Sequence, residues 1–160
     1  MTQQTKIKKS AQTVQDALDR FNIECTVIEL PSSTRTAIDA ANSIGCEVAH
    51  IIKSLIFKTA SEKPILILAS GINQVNVSLI ESAIGEKTLK ADANFAREVT
   101  GFAIGGIPPI GHVQRITTLI DEDLINHAEL WAAAGTPNAV FNLNPSDLLK
   151  ITEGLVIAIK

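Results

Sequence analysis

Apolar residues along this chain change their spacing several times, and each change predicts an element. Val14, Leu18 and Phe21 recur at intervals of four and three, the repeat of one face of an amphipathic helix. Ser10 stands ahead of them as a cap, and Asn22 breaks the pattern. Cys25 to Leu30 alternates weakly and is rich in β-formers, which predicts a strand. Thr36 opens a short helix to Ile44, with Gly45 placed as its left-handed stop. Two strongly apolar, β-branched runs follow, His50 to Lys58 and Pro64 to Ser70, joined by the polar Thr59-Ala60-Ser61-Glu62-Lys63. That arrangement predicts a central hairpin.

Ser78-Leu79-Ile80-Glu81 has the form of a capping box, and Gly85 closes the helix it starts. Asp92 caps another short helix that ends at Gly101. An apolar strand is expected near Ile116 to Ile120. Asn144-Pro145 places a cap before a proline in the first helical position, opening a helix through Ile151. Leu155 to Ile159 reads as a final strand. Many strands with short helices between them, and no regular βαβ rhythm, predict an α+β fold. We expect a single domain over residues 1–160, with a mixed, largely antiparallel β-sheet and short helices around it.

Composition narrows the partners. Hydrophobic residues make up 46% of the chain but aromatics only 4%, so the core must be built from Ile, Leu, Val and Ala. The net charge of −3 argues against a global basic field and hence against DNA. A local basic patch remains open, with Lys6, Lys8, Lys9 and Arg35 as its candidates. Cys25 and Cys46 have no CxxC spacing and read as free thiols in a reducing compartment. The N-terminus is polar and basic with no apolar run behind it, and no stretch approaches the length of a membrane span. A cytoplasmic protein with no membrane partner is the expectation. His50, His112 and His127 are scattered without metal-ligand spacing, and Asp121-Glu122-Asp123 reads as an acidic helix start. No metal site is expected. Neither GxGxxG nor GxxxxGKS occurs, so dinucleotide and P-loop chemistry have no support.

Two features carry chemistry. The stretch from Gly101 to His112 holds four glycines and two prolines in twelve residues. Glycine allows close approach of a ligand to bare backbone, and proline stiffens the chain around it. The combination suggests a rigid loop whose N–H groups point at something, beyond what a plain connector needs. The second feature is Lys53. Strand alternation puts Ile51, Lys53, Leu55 and Phe57 on one face. An ammonium among apolar neighbours must be paired, deprotonated or opened to a cleft. It either snorkels to solvent or lines a pocket where it can hold a phosphate, a carbonyl or a ribose hydroxyl.

Taken in order, the segments Ser33-Thr34-Arg35-Thr36-Ala37, His50 to Phe57, Thr100 to His112, Trp131 to Phe141 and Asn144-Pro145-Ser146-Asp147-Leu148 resemble the YbaK/prolyl-tRNA-synthetase-associated family of editing domains. The resemblance runs over nearly the whole chain. It implies a single α+β domain acting as a free-standing aminoacyl-tRNA deacylase. Such an enzyme cleaves the ester of a small wrong amino acid from the 3′-terminal adenosine of a tRNA, with no cofactor. The family's pocket lysine maps to Lys53, and its glycine-rich backbone loop to Gly105-Gly106, continuing to Gly111-His112. Thr34, Arg35 and Ser54 join Gly111 and His112 as expected substrate-binding residues. Some branches carry Asn after the lysine where this chain has Ser54, so their specificity does not transfer. The implied partners are the aminoacyl-tRNA acceptor end and, as a candidate second partner, an aminoacyl-tRNA synthetase. The competing expectation is a non-catalytic module that holds a tRNA end, a nucleotide or a protein on the same fold.

Overall fold

A computed structural model describes residues 8–160. Helix α1 (Lys9–Arg20) buries Ala11, Val14, Ala17 and Leu18, the stripe that its spacing predicts. Its start differs from expectation: Lys8 holds the cap position without a side-chain bond, and Ser10 lies inside the first turn. The Ser10 carbonyl is pressed against Gly135, so tertiary packing outweighs the local cap signal. The expected strand from Cys25 shrinks to β1 (Ile28–Glu29). The Gln15 side chain accounts for the difference. It donates to the Cys25 carbonyl at 3.0 Å and accepts from the Val27 N–H at 2.8 Å, which satisfies that backbone without a neighbouring strand.

Helix α2 (Ala37–Ile44) forms as read, with the Thr36 hydroxyl accepting from the Asp39 N–H and Gly45 at φ 85°. Strand β2 (Ile52–Thr59) begins after a 3-10 turn over Val48–His50, and β3 (Pro64–Ser70) returns antiparallel to it, Ile52 opposite Ser70 and Lys58 opposite Pro64. Helix α3 (Val77–Ile84) is capped by Asn76, whose side chain accepts from the Ser78 N–H. The expected capping box is therefore absent: Glu81 turns away and accepts from the Thr88 N–H at 2.9 Å. Strand β4 (Thr88–Lys90) follows, then α4 (Ala93–Thr100), capped by Asp92 and stopped by Gly101.

Beyond the glycine–proline loop come β5 (Thr117–Asp121) and a 3-10 turn over Glu122–Asn126, capped by the Asp121 side chain. The hairpin β6 (Leu130–Ala133) and β7 (Ala139–Leu143) was not expected as strands. Asn144 caps α5 (Pro145–Thr152), and β8 (Leu155–Ile157) is shorter than its apolar run.

The strands form two sheets, one in the order β1-β7-β6 and the other β4-β2-β3-β5-β8. Four of the six strand pairs are antiparallel, and β3–β5 and β5–β8 are parallel. This is the α+β, mixed and largely antiparallel architecture that the pattern predicts. The larger sheet is buried on both faces. Ile52, Ile56, Leu66, Leu68 and Ile120 meet α1, α4 and α5 in the main core, while Phe57, Ile65, Ile67 and Leu119 meet Ile80 of α3 and Ile159 on the other side. A third cluster, Ala40, Ala41 and Ile51 with Trp131 against it, lies where the two sheets approach. No helix among the described residues is long and apolar enough to cross a membrane.

Candidate active site

The site follows from a gap at the edge of the larger sheet. Strand β4 covers only Phe57–Thr59 of β2. On that edge the Ile56 carbonyl accepts from the Ala91 N–H at 3.0 Å, and the Ala60 N–H donates to the Lys87 carbonyl at 2.9 Å. Backbone groups alternate sides along a strand, so Ser54 aims its N–H and C=O at the same edge, where β4 has already ended. An open sheet edge presents donors and acceptors to whatever enters. A cavity of about 260 Å³ occupies this gap.

Four walls enclose it. Residues Ile51 to Leu55 of β2 form the floor, and Thr34 to Thr36 with Ala37, Ala40 and Ile44 of α2 form one side. Ile104, Gly105 and Ile107 of the glycine–proline loop form the second side, and Trp131, Ala132 and Ala133 of β6 with Val140 close the third. The interior is mostly aliphatic, with Lys53 as its ammonium.

Lys53 lies on the face of β2 that carries Leu55 and Phe57, and its Nζ donates to the Asn73 carbonyl in the turn after β3. Burial lowers its pKa from the ordinary lysine value. The Asp121 carboxylate opposes that shift, and Lys90 adds to it. Ser54 lines the same cavity, and its hydroxyl is buried with no hydrogen-bond partner among the described residues. A buried hydroxyl left unpaired costs about 1–3 kcal/mol, which a ligand entering the cleft could recover.

The expected site residues separate into two groups. Lys53, Ser54, Thr34, Arg35 and Gly105 converge on the cavity. Thr34 is buried, and its hydroxyl donates to the Pro137 carbonyl at 2.9 Å, so it braces the wall against the turn after β6. The Arg35 stem lies across Gly105: a Cβ there would stand 2.8 Å from Arg35 Cγ. Among the described residues its guanidinium makes no ion pair.

Gly106, Gly111 and His112 are placed elsewhere. The Gly106 N–H donates to the Ala103 carbonyl at 3.1 Å, and its own carbonyl accepts from the Gly135 N–H at 2.8 Å. Both of its main-chain groups are used inside the fold. Gly111 faces Thr13, Val14 and Ala17 of α1. His112 Nε2 bonds the Pro108 carbonyl at 2.7 Å, and the ring lies edge-on to Phe102. Of the loop's two adjacent glycines only Gly105 (φ 98°) lines the cavity, and its N–H makes no hydrogen bond among the described residues. Lys8 and Lys9 are exposed at the start of α1, off the cavity lining, and Lys6 lies outside the described residues.

Sequence reasoning does not reach the apolar wall of Trp131, Ala132 and Val140, because the β6–β7 hairpin is not among the strands that the pattern predicts. It also misses Asn73 and the acidic role of Asp121. The signal available for Asp121 was its place at the end of an apolar parallel strand, where a carboxylate has to be satisfied.

The family model described as the aminoacyl-tRNA editing domain matches residues 31–151. That span contains every wall of the cavity. The uncharacterized protein YwhH of Bacillus subtilis is 30% identical over 139 residues, 87% of this chain and 88% of its own length. A solved structure described as a candidate trans-editing enzyme for prolyl-tRNA synthetase superposes with a TM-score of 0.92 at 41% identity, covering 97% of this chain and 99% of that one. EbsC of Enterococcus faecalis, described as a candidate Cys-tRNA(Pro)/Cys-tRNA(Cys) deacylase, is 24% identical over 120 residues, 74% of this chain and 73% of its own.

Proposed function

This chain belongs to the aminoacyl-tRNA editing-domain family, and from that membership we propose that it is a free-standing hydrolase of mischarged aminoacyl-tRNA. Its substrate is the ester between a small wrong amino acid and the 3′-terminal adenosine. Its partners are the acceptor end of the tRNA and a synthetase whose errors it corrects. The observation that carries the reading is the pairing of Lys53 with Gly105 across one cavity floored by an open strand edge.

The residues divide the work as follows. The Lys53 ammonium holds an oxygen of the terminal ribose or its phosphate, fixing the ester against the β2 edge. The Gly105 N–H is the donor available to the ester oxygen as negative charge develops on it, a contribution of about 3 kcal/mol for one such donor. Water adds to the ester carbon, the bond to the ribose oxygen breaks, and the ribose oxygen takes up a proton. The products are the free amino acid and an uncharged tRNA. The described cavity lining holds no histidine, and resemblance to the editing family implies that water and the tRNA's own terminal ribose hydroxyl carry the proton. Editing is needed because one methylene in a synthetase pocket discriminates only about 10–200-fold.

A panel of tRNAs charged with different small amino acids tests the proposal. Hydrolysis of at least one at a rate well above the spontaneous rate supports it. Tight tRNA binding with no turnover across the panel would instead identify a binding module.

A further inference from the structure

We propose that Asp121 and Asn73 form the positioning device for Lys53: the Asp121 carboxylate fixes the Asn73 side chain, and the main-chain carbonyl of the same Asn73 then holds the ammonium at the cavity. This rests on Lys53 acting in the proposed hydrolysis. Asn73 stands twenty positions beyond Lys53, in the turn that leaves β3. Its Nδ2 donates to Asp121 Oδ2 at 2.7 Å and to Asp123 Oδ2 at 2.8 Å, which uses both amide hydrogens. Asp121 Oδ2 also accepts from the Ser70 N–H at 2.9 Å, and Oδ1 accepts from the Asp123 N–H at 2.9 Å. Asp121, Asn73 and Ser70 are all buried. Asp123 is anchored in turn by Lys160 Nζ at 2.9 Å.

The arrangement exceeds what a helix cap requires. Capping the 3-10 turn needs only the bond that the Asp123 N–H donates to Asp121 Oδ1. The second oxygen, Oδ2, is aimed at the end of β3 and the turn after it, 51 positions away in sequence at Ser70 and 48 at Asn73. A buried carboxylate is expensive unless its oxygens are filled, and here three N–H donors fill them. The consequence reaches the cleft in two ways. The Asn73 carbonyl sits in a fixed place, so the long lysine side chain loses its freedom before substrate arrives. The negative charge of Asp121 also favours the ammonium against burial and against the nearby Lys90. Asp121 touches no reacting atom in this account. It is a positioning residue.

The test uses the full chain with Lys side chains labelled for NMR, so that the Lys53 ammonium is observed directly. Asp121→Asn removes the charge and puts an amide against donors. Asp123→Asn takes the negative charge off one Asn73 acceptor while leaving the buried Asp121 carboxylate, and so remains informative if the first variant fails to fold. In Asp121→Asn the Lys53 pKa is expected to fall, and the alkaline limb of the pH–rate profile to move to lower pH with it. On a hydrolysed aminoacyl-tRNA, kcat should drop by about tenfold with KM within about twofold of wild type. Asp123→Asn should give a smaller loss of kcat, by about threefold, with the Lys53 ammonium more mobile. A folded variant with wild-type Lys53 pKa, mobility and kcat overturns the proposal. Absence of wild-type hydrolysis on every charged tRNA defeats the functional reading instead, and the NMR result still decides whether Asp121 and Asn73 position the lysine.

Discussion

Gly106 and Thr136 are packed backbone to backbone: a Cβ on Gly106 would lie 2.9 Å from the Thr136 carbonyl carbon and 3.0 Å from its N and Cα. The glycine–proline loop is thereby clamped to the β6–β7 turn, and the bond from the Gly135 N–H to the Gly106 carbonyl closes the same contact. Gly106 is required for fit, whereas its neighbour Gly105 faces the cavity.

The two glycines should therefore respond differently. Gly106→Ala forces backbone against backbone and should cost about 1–3 kcal/mol of stability, as overpacking does. Gly105→Ala meets the flexible Arg35 stem and a φ of 98°, so it should cost about 1 kcal/mol while lowering hydrolysis more sharply than Gly106→Ala does per folded molecule. Urea titration with activity on the same samples separates them. Equal stability loss with equal activity loss would defeat this division of roles.

His112 is the next test, because the loop carries it away from the cavity. Burial holds its imidazole below the ordinary pKa of 6.5, against the bond to the Pro108 carbonyl. A depressed folded-state pKa means that the unfolded chain binds the proton first as pH falls. The contribution of His112 is thus complete above pH 6.5 and is lost as pH drops below it. His112→Gln should flatten this acid loss and leave hydrolysis within about twofold of wild type. Stability measured by denaturant at several pH values checks the first part. A dead His112→Gln enzyme of normal stability would replace the main-chain account with a side-chain acid–base one.

Arg35 supplies the predicted salt dependence. Arg35 is an exposed residue of the cavity lining, and it makes no ion pair among the described residues. A phosphate contact there releases counterions, so affinity for tRNA should fall with salt, and Arg35→Ala should reduce that slope by about 1. Binding isotherms at several salt concentrations decide it. An unchanged slope in the variant places the phosphate contact elsewhere.

Much of this was legible in the chain because local rules agreed with tertiary demands. Thr36, Asp92 and Asn144 all cap the helices assigned to them, and the two apolar runs around Thr59 to Lys63 pair as a hairpin. Lys53 stood out because a charge on a buried strand face has to be accounted for. The losses occurred where tertiary contacts override local signals. Asn76 takes the cap position that the local pattern assigns to Ser78, and Gln15 supplies hydrogen bonds that a strand partner would have made. In sequence the glycine–proline loop is one uninterrupted run, but in the structure its length is divided. Gly105 reaches the cavity while Gly106, Gly111 and His112 hold the loop to Thr136, α1 and Pro108. No spacing rule shows which glycine faces inward. The Asn73–Asp121 bond joins residues 48 positions apart, and no local pattern marks it.

Single-turnover deacylation of a mischarged tRNA shows whether the cavity around Lys53 hydrolyses an aminoacyl ester. The wild-type protein should deacylate at least one such tRNA, and Lys53→Ala, folded to the same extent, should be slower by at least about tenfold, equivalent to about 1.4 kcal/mol of transition-state stabilisation. A folded Lys53→Ala protein that deacylates at the wild-type rate would contradict the account.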